Sequence, residues 1–290
     1  MNTLRALLTG AIDYAGLFPP AALDMETATR NYDSYRTGEH AWLLGRFIVP
    51  VARLGEFERA LPKTTSLGDR WLISALVGAD IDHDVATIFG FNKRQHAIID
   101  TVEIKASTID GVKAVARSVP SLLTTYVEIP LDCNPAPLIV AIHASGLRAK
   151  VRTGGVTPDA FPSSHDLAGF IHACVAARTP FKATAGLHHA LRATYRLTYE
   201  PGTPSGTMYG FLNVFIASGV AYSGGTIRDV AAVLEEQSVL AFHLKDGEIG
   251  WGKYLIDITK IATLRSEIAV SFGSCSFTEP IDDLNSLRLL

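Results

Sequence analysis

Two lysines in near-repeated settings are the residues of this sequence best suited to chemistry. One lies in Leu-Arg-Ala-Lys-Val-Arg-Thr-Gly-Gly, where Lys150 and Arg152 precede Gly154 and Gly155. The other lies in Pro-Phe-Lys-Ala-Thr-Ala-Gly-Leu-His-His, where Lys182 and Thr184 precede His188 and His189. A lysine amine attacks a carbonyl only after losing its proton, and burial or a neighbouring cation lowers its pKa. Each lysine sits in a short run suited to a strand that ends at glycine. Between them, residues 164–178 carry Leu167, Phe170, Ile171, Cys174 and Val175 at helical spacing. In such a strand–helix–strand unit, lysines on adjacent strands stand roughly 5 Å apart. That spacing lets one serve as a Schiff-base nucleophile and the other as its electrostatic partner.

Side chains alternate across a strand, so Lys150 shares a face with Arg152, and Lys182 with Thr184. The same parity groups Arg46 with Ile48, Thr101 with Glu103 and Lys105, and Tyr126 with Glu128. The other face is mostly apolar in each case. Ionised groups are costly to bury unpaired, so charges recurring on one face of consecutive strands imply a shared, partly solvated cavity. Glu103 and Glu128 are candidates for the proton transfers of carbon–carbon cleavage or enolisation. The basic excess, Arg46, Lys105 and Arg152 beside the two lysines, implies an anionic substrate, phosphate or carboxylate.

The elements that must position these residues follow a regular order. Residues 24–36 form a helix with Asp24 as N-cap and Glu26 in the first turn. Strands at 46–50, 71–78, 98–105 and 122–130 alternate with helices at 54–61, 82–89, 110–118 and 135–145, about 25 to 30 residues per unit. With the two lysine strands, a possible strand at 12–17 and a last one at 268–276, eight strands make a single (βα)8 barrel of TIM type. Its catalytic mouth would lie at the C-terminal strand ends, where Glu103, Glu128, Arg152 and Lys182 fall. Residues 191–265 are too long for one loop and helix, and are expected to elaborate the barrel beside its mouth. They contain an apolar helix at 208–221, a helix at 228–236, a strand-like run at 239–244 and a hairpin signal at 245–248.

Composition narrows the classes. At 290 residues the chain suits one large α/β domain spanning 1–290, and 48% hydrophobic residues supply its core. A net charge of −3 without a basic tail gives no nucleic-acid footprint. Cys133, Cys174 and Cys275 lack paired or zinc-like spacing, which suits reduced thiols in a cytoplasmic protein. The first residues lack a signal-peptide pattern, and no apolar run is long enough to span a membrane. The apolar 208–221 helix suits burial against the barrel or a homo-oligomer interface. No cofactor is expected.

Several of these segments resemble the class I aldolases of the deoxyribose-phosphate aldolase type. Ile12-Asp-Tyr-Ala-Gly-Leu-Phe-Pro-Pro-Ala resembles that family's opening segment, and Ile99-Asp-Thr-Val its Ile-Asp-Met-Val. Lys150-Val-Arg-Thr-Gly resembles its Schiff-base strand, Lys182-Ala-Thr-Ala-Gly its second-lysine strand, and Gly273-Ser-Cys-Ser its phosphate-binding Gly-Thr-Ser-Ser. The resemblance implies a (βα)8 barrel, a Schiff base on Lys150, activation by Lys182, and Gly154, Gly273, Ser274 and Ser276 near a phosphate. It would put the family's catalytic aspartate on Asp100, but parity sets Asp100 opposite Glu103 and Lys105 and favours Glu103. The sequence departs from the family in the long 191–265 segment and in Leu187-His188-His189 after the second lysine strand.

Other readings stand beside this one. The lysines could simply form interior ion pairs with Glu103 and Glu128. A metal-dependent lyase or isomerase would use Glu103, Glu128 and His188 as ligands, with the lysines holding the substrate anion. A barrel that binds a small anion without turning it over is a third. His188 is otherwise a substrate contact, Gly154-Gly155 an anion cradle or a plain strand-ending turn, and Asp13 a turn cap or part of the mouth. Cys275 has no base beside it in sequence and makes a poor catalytic thiol.

Overall fold

The computed structural model describes residues 3–62, 70–93 and 97–290. Strands β1 (Ile12–Tyr14), β2 (Leu44–Pro50), β3 (Trp71–Leu76), β4 (Ala97–Lys105), β5 (Thr124–Glu128), β6 (Arg148–Arg152) and β7 (Phe181–Thr184) pair in parallel with their sequence neighbours. After a long excursion, β13 (Ala269–Ser274) inserts between β7 and β1 and closes an eight-stranded barrel. Helices α2 (Met25–Thr37), α3 (Leu54–Ala60), α4 (Ile81–Asn92), α5 (Ile109–Ser118), α6 (Ala136–Ala144) and α7 (Ser164–Ala176) link the strands as the sequence pattern requires, and the protein is an α/β barrel of TIM type. Asp24 caps α2 as expected, its carboxylate accepting from the Thr27 amide at 2.8 Å.

The period-two reading holds along the lysine strands. Ala149 and Val151 of β6, and Phe181 and Ala183 of β7, are buried under the helices, leaving Lys150 and Lys182 for the interior. β4 breaks the alternation once. Ile73 pairs with Ile99 but Ser74 with Thr101, so Asp100 is an extra residue in a bulge, and its carboxylate accepts from Thr101 Oγ1 at 3.1 Å. Simple parity therefore misplaces Asp100, while Glu103 and Lys105 beyond the bulge keep the faces expected of them.

The 191–265 segment divides in two rather than sitting wholly at the mouth. A hairpin of β8 (Ala193–Arg196) and β9 (Ser205–Met208) follows β7, and its loop carries Tyr199 to Glu279, in the first turn of α11 (Thr278–Ser286) just past β13 (Oη to Oε2, 3.0 Å). Helix α8 (Phe211–Tyr222) begins three residues later than its apolar pattern suggests, because Met208 is held in β9. It is buried on nearly every side within this chain. Phe211 stacks on Phe272 of β13, while α9 (Ile227–Glu235) and a three-stranded sheet of β10 (Phe242–Lys245), β11 (Glu248–Trp251) and β12 (Tyr254–Asp257) cover the rest. Its apolar character thus needs no second subunit. The two-residue turn at Asp246-Gly247 joins β10 to β11, with Gly247 at φ +96°. That sheet packs towards α1 (Thr3–Leu8), which leads into β1, and Thr3 Oγ1 donates to Lys245 O at 2.8 Å. Helix α10 (Ile258–Glu267) returns the chain to β13.

One glycine admits a close approach that the interior depends on. A Cβ at Gly45 would stand 2.4 Å from Asp13 Oδ1 and 3.1 Å from Gly10 O, and the same carboxylate oxygen accepts from the Arg46 amide at 2.8 Å. Gly45→Ala is expected to destabilise the fold by roughly 1–3 kcal/mol, the usual cost of overpacking. Gly90→Ala in α4, where a Cβ meets nothing within 4 Å, should be neutral or stabilising. Denaturant unfolding of both variants checks the contrast.

Candidate active site

The barrel interior holds a continuous ion network built from five strands. Lys182 Nζ lies 2.6 Å from Asp13 Oδ2 and 2.6 Å from Glu103 Oε1. Lys150 Nζ lies 2.6 Å from Glu103 Oε2 and 2.7 Å from Glu128 Oε2. Glu103 therefore bridges the two lysines, one through each oxygen, and also accepts from Ser74 Oγ at 2.7 Å. Ser271 Oγ donates to Asp13 Oδ2 at 2.9 Å. Three carboxylates surround two amino groups, and all five side chains are buried.

These contacts set the protonation of the central pair. Burial by itself drives the Glu103 carboxyl up, but Lys150 and Lys182 outweigh it and hold the group well below the usual carboxylate range. Burial likewise works against the Lys182 charge, and Asp13 and Glu103 overcome it and raise the ammonium above its ordinary value. Lys182 is a fixed cation. Its Nζ also stands 5.5 Å from the Tyr126 ring centroid.

Towards the mouth the network meets a cavity of about 300 Å³. Lys150, Glu103 and Glu128 reach it, and Lys105, Arg152, Gly155, Thr184, His188 and Gly273 line it, as the sequence places them. Lys182 does not reach it. Lys105, Glu128 and Arg152 also border a larger cleft of about 650 Å³ that runs between the loops after β5 and β6. Lys105 Nζ is 3.9 Å from Glu128 Oε1 and largely exposed.

Four residues expected to contact substrate are placed elsewhere. The Arg46 guanidinium forms a bidentate pair with Asp100 (2.7 Å each), two residues before Ile48, the β2 residue that lines the cavity. The bulge in β4 is what brings Asp100 to it, so Asp100 joins Arg46 and not the lysines. Gly154 is covered by Phe161, whose ring a Cβ there would overlap, and it packs beside Gly186. Ser274 Oγ is engaged with His188 Nδ1 (3.1 Å) and Ser276 O (2.6 Å). Ser276 Oγ accepts from the Glu279 amide at 3.1 Å, and of the Gly273-Ser-Cys-Ser run only Gly273 and Cys275 face the cavity.

Asp13, read from the sequence as a turn cap or part of the mouth, belongs instead to the buried network through Lys182. The signal in the sequence was an acid set between Ile12 and Tyr14 in a short segment suited to a strand. The turn after β7 has a signal of its own kind. Ala185 and Gly186 both have positive φ (63° and 71°), and Thr153 Oγ1 donates to Ala185 O at 2.6 Å to hold that strained turn at the cavity edge.

His188 does not join Glu103 and Glu128. Its ring approaches Ser274 and Cys275 Sγ (3.5 Å), and among the described residues no group of three His, Cys, Asp or Glu side chains converges to hold a metal ion. Burial, with the neighbouring His189, pulls the imidazole down to about 4, so it is neutral at physiological pH. Burial also pushes the Cys275 thiol up to about 11, which keeps it protonated and unreactive.

The fold and the interior define an α/β barrel with a buried Asp–Lys–Glu–Lys–Glu chain beneath a mouth cavity. No protein-family model matches the sequence, and no similar curated protein is found.

Removing one member of such a network strands its partners. Lys182→Met leaves Asp13 without a counter-ion and Glu103 with Lys150 alone, and is expected to cost roughly 3–5 kcal/mol of stability, read from denaturant unfolding at neutral pH. His188 gives a pH signature. The unfolded chain takes up its proton as pH falls through 6.5, the folded chain only near 4, so stability falls across that window by on the order of 3 kcal/mol. Unfolding curves of His188→Gln should lack that component.

Proposed function

We propose that the protein is a carbon–carbon lyase of the aldolase kind, forming an imine between Lys150 and a small anionic carbonyl substrate. The observation that carries this reading is the difference between the two lysines. Lys150 reaches the mouth cavity with a carboxylate on either side, whereas Lys182 is sealed beneath it by Asp13 and Glu103.

In this reading Lys150 passes a proton to Glu128 and its free amine adds to the substrate carbonyl. Glu128 is the better shuttle because Glu103 is already committed to Ser74 and both lysines. The proton returns from Glu128 as the carbinolamine loses water, leaving an iminium. Glu128, again a carboxylate, takes the β-hydroxyl proton as the adjacent carbon–carbon bond breaks and the first carbonyl product leaves, and the bond's electron pair flows into the iminium to give an enamine. Protonation of the enamine and hydrolysis release the second product and restore Lys150. Lys182 serves as the fixed cation that keeps Glu103 ionised, and Lys105 and Arg152 hold the substrate anion.

Borohydride reduction in the presence of a carbonyl panel tests the reading by intact-protein and peptide mass spectrometry. A stable adduct on Lys150 is expected for the wild type. Lys150→Arg, which keeps a cation between Glu103 and Glu128 without a nucleophilic amine, should fold, form no adduct and lose turnover by several orders of magnitude. Full turnover by that variant, or no wild-type adduct with any carbonyl compound, would overturn it and leave the lysines as structural ion pairs.

A further inference from the structure

The mouth cavity is divided by chemistry, and the division follows the order of strands round the barrel. From β4 to β6 the lining is charged, with Glu103, Lys105, Glu128, Lys150 and Arg152. From β1 to β3 it is apolar. Ala15, Phe18, Pro19 and Pro20 come from the loop after β1, Ile48 from β2 and Leu76 from β3. No side chain of that second group can donate or accept a hydrogen bond, and the prolines lack even a backbone N–H.

We infer that the substrate is an oxo acid bearing an aromatic or bulky alkyl group, with the carbonyl at Lys150, the carboxylate at Arg152 and the apolar group against Phe18, Pro19 and Pro20. This rests on the imine reading for the carbonyl alone; the two ends of the ligand are argued from the cavity. A polyhydroxylated chain on the apolar side would set hydroxyls against side chains that offer no hydrogen bond, at a cost of about 1–3 kcal/mol for each group left unsatisfied. An aromatic ring there gains burial and an offset contact with Phe18.

At the other end, Arg152 presents a planar fork suited to a carboxylate. Among the described residues its one hydrogen bond is a long contact to Gly154 O at 3.4 Å. Lys150 and Arg152 are same-face neighbours on β6, two residues apart, so a carboxylate next to the carbonyl carbon falls within reach of both.

The test separates the ligand's shape from the imine. Calorimetric titration of the intact protein with phenyllactate, lactate and glycerol phosphate needs no carbonyl. Phenyllactate is expected to bind at least about tenfold more tightly than either of the others. Phe18→Ala should remove most of the preference over lactate, and Arg152→Leu should weaken both hydroxy acids. Borohydride trapping with phenylpyruvate, pyruvate and a triose phosphate forms the second arm, with phenylpyruvate expected to label Lys150 at the lowest concentration. Phenyllactate binding without any trapped adduct would sustain this inference while ending the imine reading. Tighter binding of glycerol phosphate, equal binding of lactate and phenyllactate, or binding of none of them would overturn the inference whatever the trapping shows.

Discussion

Glu103 is the residue on which the interior depends. A carboxylate with an ammonium group on each oxygen, buried at the floor of the mouth cavity, is stable only while both partners stay. Each lysine in turn needs a second carboxylate, Asp13 for Lys182 and Glu128 for Lys150. Desolvating a buried charge can cost more than a single pair returns. The chain of alternating charges spreads that cost over members that hold one another in place. Ser74 and Ser271 complete it by donating to the same Glu103 and Asp13 oxygens that Lys182 engages.

The barrel supplies what such a chain requires. Parallel strands with alternating side chains present every second residue to a common axis, and the outer face can be wholly apolar because helices cover it. Closure matters as much as alternation. Asp13 and Lys182 lie 169 residues apart in the chain, and the barrel brings them together only because β13 slots between β7 and β1. The smallest residues serve the same end: Gly45 leaves room for the Asp13 carboxylate against the β2 backbone.

The network also grades its own members. Lys182 is buried, doubly paired and permanently charged, which suits a role in holding Glu103. Lys150 and Glu128 border the cavity and retain access to a ligand. Above them the mouth is charged on the side of β4 to β6 and apolar on the side of β1 to β3. The long excursion before β13 adds a hairpin near the mouth and a small sheet that covers α8, so one insertion serves both the site's rim and the core.

The sequence alone determined the barrel, the inward faces of β4 to β7 and the identity of the two lysines and two glutamates, because strand alternation is a local property of the backbone. It also exposed Lys105, Arg152, Thr184 and His188 as residues at strand ends. Only the tertiary structure decided which charge meets which. Asp13 joined the network through barrel closure, Asp100 was turned to Arg46 by a bulge that no periodicity reveals, and Gly154 was covered by Phe161 from a neighbouring loop. Ser274 and Ser276 were taken up by His188 and the start of α11. Those outcomes depend on register, shear and contacts between distant segments, and residue order along one strand carries no record of them.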